Sequence, residues 1–341
     1  MRRGPQKSSL IQPGEDLNDD YRVGELLAVD GGMGLIYAVS HKRLPELQLV
    51  LKVLPSDSAS DMIARMEREA FALSKLSTSR YVVRIQDSGH CKDGMPYIVM
   101  DRLTGPHLGK LLQQEGRLDV QRAVGLAMQA SLGLHTCHGE GISHRDIKPA
   151  NLMLHHDAQA HEVVRLIDFG ISHVLVGPAI TALDKRSGTR RYMPPEQSLG
   201  NDDERADQFS LAAVLFETLA GPGQLPWPTP KKDDGAAHER FVAAGNYRRL
   251  RDLRPEVPEE LEVVIRKALS PNPDGRFVSM HEFARELVIF ADAGSRILFD
   301  QYVVTGKSPL VKAAFALKAG DGAGVKRMVE AGPKSPAHDW S

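Results

Sequence analysis

The octapeptide His144-Arg145-Asp146-Ile147-Lys148-Pro149-Ala150-Asn151 narrows what this chain can fold into more than any other stretch. It sets an acid, a lysine and an amide at short fixed intervals, beside a proline that forbids an uninterrupted helix. The apolar run Leu152-Met153-Leu154 follows at once, then a polar stretch, then a second apolar run, Val163–Ile167. That pattern predicts a β-hairpin. Asp168-Phe169-Gly170 stands directly after it. The hairpin returns Asp168 to the neighbourhood of Asn151, so two oxygen ligands can share one Mg²⁺ ion.

Such a pairing belongs to phosphoryl transfer. That reaction asks for backbone donors on phosphate oxygens, a cation on the phosphates, oxygen ligands for the metal and a base at the acceptor hydroxyl. The remaining parts are present upstream. Gly31-Gly32-Met33-Gly34 lies between two strand patterns, where glycines let backbone N–H groups approach phosphate without a Cβ clash. Taken alone, this is also what an ordinary turn looks like. Lys52 sits in the apolar strand run Leu49-Val50-Leu51-Lys52, and a lysine there needs a partner or a ligand unless it snorkels to water. The helix Arg65-Met66-Glu67-Arg68-Glu69 offers two carboxylates. Glu69 shares a face with Met62, Leu73 and Leu76 and is preferred over Glu67 as the partner.

Periodicity divides the chain into a strand-rich part and a helix-rich part. Strands are expected over Tyr21–Val29, Leu35–Ser40, Leu47–Leu54, Val82–Ile85 and Met95–Met100, with one helix between the third and fourth. Helices are expected over Asp119–His138, Phe209–Ala220, Leu261–Leu269 and His281–Phe290. The Phe209–Ala220 segment is apolar nearly all round, which marks a helix inside a domain. A small β lobe above a larger helical lobe holds its ligand in the crevice between them.

Composition removes several other function classes. The 43 Lys plus Arg against 44 Asp plus Glu argue against a nucleic-acid binder. No apolar run reaches the length of a membrane span, and the basic start lacks a signal-peptide core. Cys91 and Cys137 alone suggest free thiols in a reducing compartment. The expectation is a cytoplasmic protein; secretion as an effector without a cleavable signal is left open.

These blocks together resemble the eukaryotic-like (Hanks-type) Ser/Thr protein kinases, and Gly-Gly-Met-Gly looks like their bacterial branch. The resemblance covers about Tyr21 to Phe290. It implies an α+β, bilobal protein kinase fold: an N-lobe over residues 21–103 and a helical C-lobe over 104–291. A flexible tail over 1–20 and a C-terminal helical extension over 292–341 would flank it. It implies an ATP-dependent enzyme with Mg²⁺ or Mn²⁺, acting on Ser/Thr hydroxyls of protein substrates. In that reading Asp146 is the catalytic base, and Lys148 contacts the γ-phosphate, as is typical of Ser/Thr rather than Tyr kinases. Asn151 and Asp168 hold the metal, Lys52 the α- and β-phosphates, and Glu69 pairs with Lys52. Gly31, Gly32, Met33 and Gly34 cover the phosphates. Ile36, Val50 and Met153 sandwich the adenine, Met100 is the gatekeeper, and Asp101 and Leu103 offer hinge backbone.

Structural blocks extend the likeness. Pro194-Pro195-Glu196 looks like the Ala-Pro-Glu motif, with Glu196 pairing to Arg276; Asp207 would anchor the catalytic-loop backbone. These separate a protein kinase from a small-molecule phosphotransferase. Two positions depart from the pattern: Val29 stands for the first glycine of the loop and Val50 for the alanine before the lysine. They are the support for an alternative, a nucleotide-binding pseudokinase or scaffold. Arg145 before the catalytic Asp implies control by activation-loop phosphorylation, with Thr181, Ser187 and Thr189 as candidates. Thr189 is expected instead to contact the catalytic Asp. His155, His156 and His161 read as a solvated turn, and Arg248, Arg249, Arg251 and Arg254 as a solvated face that could dock an acidic substrate. Beyond Ser308 two short helical patterns resemble a single ankyrin-like pair, a surface for a protein partner.

Overall fold

The computed structural model describes residues 11–30, 34–56, 58–157, 159–169, 189–198, 203–228 and 235–304. The expectations for Gly31, Gly32, Met33, Thr181, Ser187 and the chain beyond residue 304 lie outside them.

Two lobes are present. The N-lobe is a five-stranded antiparallel sheet of β1 (Tyr21–Asp30), β2 (Gly34–His41), β3 (Leu49–Val53), β4 (Ile85–His90) and β5 (Pro96–Asp101), in the order β1-β2-β3-β5-β4. Helix α1 (Ser60–Lys75) packs across it. The C-lobe begins with α2 (Leu108–Glu115) and α3 (Val120–Gly139), then a 3₁₀ turn (Pro149–Asn151) and the hairpin β6 (Leu152–His156) and β7 (Glu162–Leu166). It continues through α4 (Pro195–Ser198), α5 (Arg205–Ala220), α6 (Gly235–Ala244), α7 (Leu250–Leu253), α8 (Glu259–Ala268), α9 (Met280–Val288) and α10 (Ala293–Val304). Among the described residues no helix is long and apolar enough to cross a membrane.

The N-lobe sheet has two distinct faces, set by strand alternation. Leu35, Tyr37, Val39, Leu49, Leu51, Val53, Tyr97 and Val99 build a small outer core with Tyr21 and Val23. The opposite face carries the registered rows Ile36–Lys52–Ile98 and Ala38–Val50–Met100, which look into the crevice between the lobes. The expected flexible tail over residues 1–20 is corrected for its second half. Leu17 is buried in the outer core, and Asn18 accepts from the N–H groups of Asp20 and Tyr21 while donating to Tyr97. Leu17 and the partly buried Ile11 are too few and too far apart among polar residues to show a period, so their packing leaves no mark in the sequence.

The strand expected over Val82–Ile85 is displaced. The ladder strand is Ile85–His90, whereas Val82 makes only an isolated parallel bridge to Leu166 in the β6–β7 hairpin. Val82 and Val83 are apolar because they are buried between the lobes, not because they alternate in a sheet. Helices α2, α4, α6, α7 and α10 add to the expected set; α2 buries only Leu108, Leu111 and Leu112.

At the junction of three helices, His135 of α3 lies 5.4 Å between centroids from His281 of α9, which stacks on Phe299 of α10. Burial, and then His281 and His138, push the His135 imidazole down to about 4. Burial also lowers His281, with Arg285 adding to the effect. A histidine with a depressed folded pKa binds fewer protons folded than unfolded. Its contribution is complete above about pH 6.5 and is lost as pH falls towards the folded value. The urea midpoint should therefore drop on acidification from about pH 7 to about pH 5, and His135→Gln should flatten that slope. A variant with the wild-type slope refutes the assignment.

Candidate active site

The apolar character of β3 buries Lys52, whose side chain is 2% exposed. A buried ammonium needs anionic partners, and two are present. Lys52 Nζ donates to Glu69 Oε2 at 3.0 Å, from α1, and to Asp168 Oδ1 at 2.8 Å, from the C-lobe. Burial alone would lower the lysine; Asp168 and Glu69 outweigh it and hold it well above its usual range. Burial works in the opposite direction on Asp168, and the Lys52 ammonium overrides it, keeping that carboxyl below the ordinary carboxylate range. Glu67 points elsewhere, to His90 on the exposed side of α1.

Asp168 reaches Lys52 through an uncommon backbone conformation, φ +53° in a residue other than glycine. Its neighbour Phe169 is buried, with its ring 4.5 Å from His144 between centroids. His144 Nε2 donates to the Ile167 carbonyl at 3.0 Å, and burial depresses its pKa, so it serves as a neutral packing residue. The hairpin register Leu152–Leu166 with the Ile167 N–H bonded to Asn151 O at 3.1 Å puts Asn151 beside the Asp168 segment.

The loop His144–Asn151 is held by its own polar groups. Asn151 Nδ2 donates to the Asp146 carbonyl at 2.8 Å and to Asp146 Oδ2 at 3.0 Å, and Lys148 Nζ donates to the same Oδ2 at 2.7 Å. Asp146 Oδ1 is buried and has no hydrogen-bond partner among the described residues. A buried carboxylate oxygen without a partner is unusual and retains its capacity to accept a hydrogen bond. Asp207, buried at the start of α5, accepts from the N–H groups of His144 at 2.8 Å and Arg145 at 2.7 Å and from His138 Nε2. Burial raises the Asp207 carboxyl and these donors, His138 first, bring it below the usual value. Arg145 itself takes φ +64°, and Gln197 of α4 donates to its carbonyl.

The positions expected to face a nucleotide lie on the crevice face. Ile36, Val50 and Met100 belong to its rows, and Met153 stands on β6 below, registered with Arg165. In the hinge, the Asp101 and Arg102 N–H groups are spent on Arg84 O and Gln48 O, while Leu103 N–H makes no hydrogen bond among the described residues. That single N–H suits an acceptor on a planar base. Gly34 has φ +129° and an added Cβ would stand 2.8 Å from Val53 O, so β2 enters the sheet only with glycine there. Val29 is 66% exposed at the end of β1, and Val50 is half-buried opposite Ala38. Thr189 opens a 3₁₀ turn, Thr189–Tyr192. Glu196 and Arg276 form a forked buried pair at 2.6 and 3.0 Å.

Two features depart from what the sequence suggests. The basic cluster is a solvated face only in part: Arg248 and Arg249 are exposed, with Arg249 and Arg251 paired to Glu262 and Glu259 and Arg248 donating to Leu225 O, whereas Arg254 is buried on Leu118 O and Leu219 O. No local signal distinguishes Arg254 from its solvated neighbours. Tyr81 carries no motif and no periodic signal, yet its backbone pairs with Leu166, two residues before Asp168.

The donor set fits ATP and a divalent metal. Asn151 spends its amide nitrogen on Asp146, which leaves the amide oxygen, with Asp168, as a hard-oxygen pair suited to Mg²⁺. The family model of the protein kinase domain matches residues 24–288. The chain is 33% identical over 282 residues to the serine/threonine-protein kinase PknB of Mycolicibacterium smegmatis, covering 80% of this chain and 43% of that protein. It is 33% identical over 282 residues to the serine/threonine-protein kinase pkn3 of Myxococcus xanthus, covering 80% and 50%. The chain thus spans half or less of the length of these curated relatives. The crystal structure of the Mycobacterium tuberculosis PknI kinase domain matches with a TM-score of 0.61 at 26% identity, over 83% of this chain and all of that one. A Rad53 fragment in complex with AMP-PNP has a TM-score of 0.61 at 21% identity, a likeness of fold, over 78% of this chain and 64% of that one. With the family model spanning most of its length and bacterial Hanks-type Ser/Thr kinases among its curated relatives, the chain belongs to the protein kinase domain family.

Proposed function

We propose that this protein is an ATP-dependent protein kinase that transfers the γ-phosphoryl group to serine or threonine hydroxyls. The observation that carries the reading is the open Oδ1 of Asp146, on a carboxylate whose other oxygen is fixed by Lys148 and Asn151. That oxygen can accept the proton of an incoming hydroxyl, while Oδ2 stays bonded to Lys148 and Asn151 and sets the carboxylate plane. Lys148 is then positioned for a transferring phosphoryl group. Asn151 and Asp168 would hold Mg²⁺ or Mn²⁺, and Lys52, kept in place by Glu69, would meet the α- and β-phosphates. The bound metal supplies charge neutralisation of the phosphate oxygens. Transfer of labelled phosphate from ATP to the protein itself or to a generic basic protein tests the reading. It also separates an enzyme from a nucleotide-binding scaffold, because a scaffold binds ATP without labelling anything.

Regulation by autophosphorylation forms part of this proposal. Arg145 precedes the base, and an arginine there can pair with a phosphate on the activation segment. Thr181 and Ser187 are the proposed acceptors. Mass spectrometry after incubation with ATP should find phosphate on one of them, and Thr181→Ala with Ser187→Ala should reduce activity about tenfold or more. Full activity with no loop phosphate defeats this part alone.

A further inference from the structure

Helix α10 carries none of the groups on Lys52, yet it packs on Tyr81, in the segment that links α1 to the end of β7. Glu69 rides on α1, whose inner face buries Met66, Ala72 and Leu73. The chain leaves α1 through buried Leu76, and Ser79 N–H bonds back to Leu76 O at 2.8 Å. Tyr81 follows, 2% exposed. Its carbonyl accepts from Leu166 N–H at 2.8 Å, and Val83 N–H donates to Leu166 O at 3.0 Å. Leu166 ends β7, two residues before Asp168. Tyr81 is therefore a shared node: one direction leads to Glu69, the other to Asp168.

The ring of Tyr81 is trapped between two C-lobe helices. On α3, an added Cβ at Gly133 would come within 2.9 Å of Tyr81 Cβ, so the absence of a side chain there admits the node. On α10, the Tyr302 ring lies 6.2 Å from the Tyr81 ring, and Tyr81 OH donates to Leu298 O at 3.4 Å. Arg80 Nη1 donates to Gln301 Oε1 at 3.0 Å, and its other amino group pairs with Asp157. Tyr302 OH in turn meets Thr136 Oγ1 of α3 at 3.2 Å. The start of α10 is tied down by Ser295, which bonds Asp292 and Gln129.

We propose that α10 is a positioning element of the active site, in which Tyr302 holds the Tyr81 node and thereby keeps Glu69 and Asp168 together on Lys52. For its kinetic readout this inference rests on the kinase reading above. The test uses the full chain with Tyr302→Ala, Tyr302→Phe and Gln301→Ala. Amide hydrogen exchange across α1 and β7, read without nucleotide, should speed up about tenfold in Tyr302→Ala and stay within about twofold of wild type in Tyr302→Phe, which keeps the ring. Gln301→Ala should shift exchange in the same direction by a smaller factor. The kcat/KM for ATP should fall about tenfold in Tyr302→Ala, and that loss should shrink to within about twofold in a Glu69→Gln background, where the pairing it protects is gone. A Tyr302→Ala protein with lowered Tm but unchanged exchange overturns the proposal, as does a loss that stays fully additive with Glu69→Gln. If Tyr302→Ala does not fold, Tyr302→Leu keeps the apolar bulk and carries the same comparison. Absence of labelling by wild type defeats the kinase reading and leaves the exchange measurement to decide this one.

Discussion

Asp146→Asn should reduce phosphate transfer from ATP by about 10³- to 10⁴-fold while leaving Tm unchanged. The substitution is close to isosteric, and the hydrogen bonds say what it keeps. Oδ2 accepts from both Lys148 and Asn151, so the new amide oxygen takes that place and preserves the loop. The amide nitrogen then occupies the site of Oδ1, the atom without a partner. An acceptor for the substrate proton becomes a donor directed at it, and a single atom changes character. Nucleotide affinity should stay within about threefold, since Lys52, Glu69 and Asp168 are untouched. Equal labelling by variant and wild type sinks the assignment of Asp146 as base.

The largest stability effect is expected at the other end of the C-lobe. Arg276→Ala should cost about 3–5 kcal/mol, the range for breaking a buried ion pair from one side. The Arg276 side chain is 0% exposed, and its guanidinium binds both Glu196 oxygens at 2.6 and 3.0 Å. It also donates to the carbonyls of Ser270 and Arg205 and lies 5.0 Å from the Phe209 ring. Removing it leaves the Glu196 carboxylate without its fork, so the penalty includes an uncompensated buried charge. A fall in Tm of roughly 10 °C corresponds to that cost in a domain of this size. Arg276→Lys should lie between, because an ammonium keeps the charge and loses the bidentate geometry. A loss below about 1 kcal/mol for the alanine variant contradicts the buried-pair argument.

Much of the site is legible in the residues themselves. Lys52 stands out because an ammonium in an apolar strand demands partners, and the face shared by Glu69, Leu73 and Met62 points to Glu69 over Glu67. Both inferences concern one element at a time, where side-chain period and polarity are sufficient. The basic cluster shows the limit. Arg249 and Arg254 look alike in sequence, yet one lies on Glu262 and the other is buried under two carbonyls. Whether an arginine is solvated depends on what other segments bring to it. The strand expected at Val82 fails for a related reason: burial between lobes and burial in a ladder select the same apolar residues.

The octapeptide His144–Asn151 and the Asp168 turn set, from residue identity alone, which polar groups are brought close together and in what order. Those groups act through local spacing, five residues from Asp146 to Asn151 and a hairpin from Asn151 to Asp168, and local spacing is written in the chain. What only the tertiary structure decided is which distant groups share an atom. The ammonium of Lys52 answers to carboxylates from two lobes, and the Tyr81 node answers to a helix more than two hundred residues downstream in the chain. Such contacts are fixed by packing of whole elements, since burial rewards the summed fit of many surfaces and leaves no periodic trace at the residues that meet.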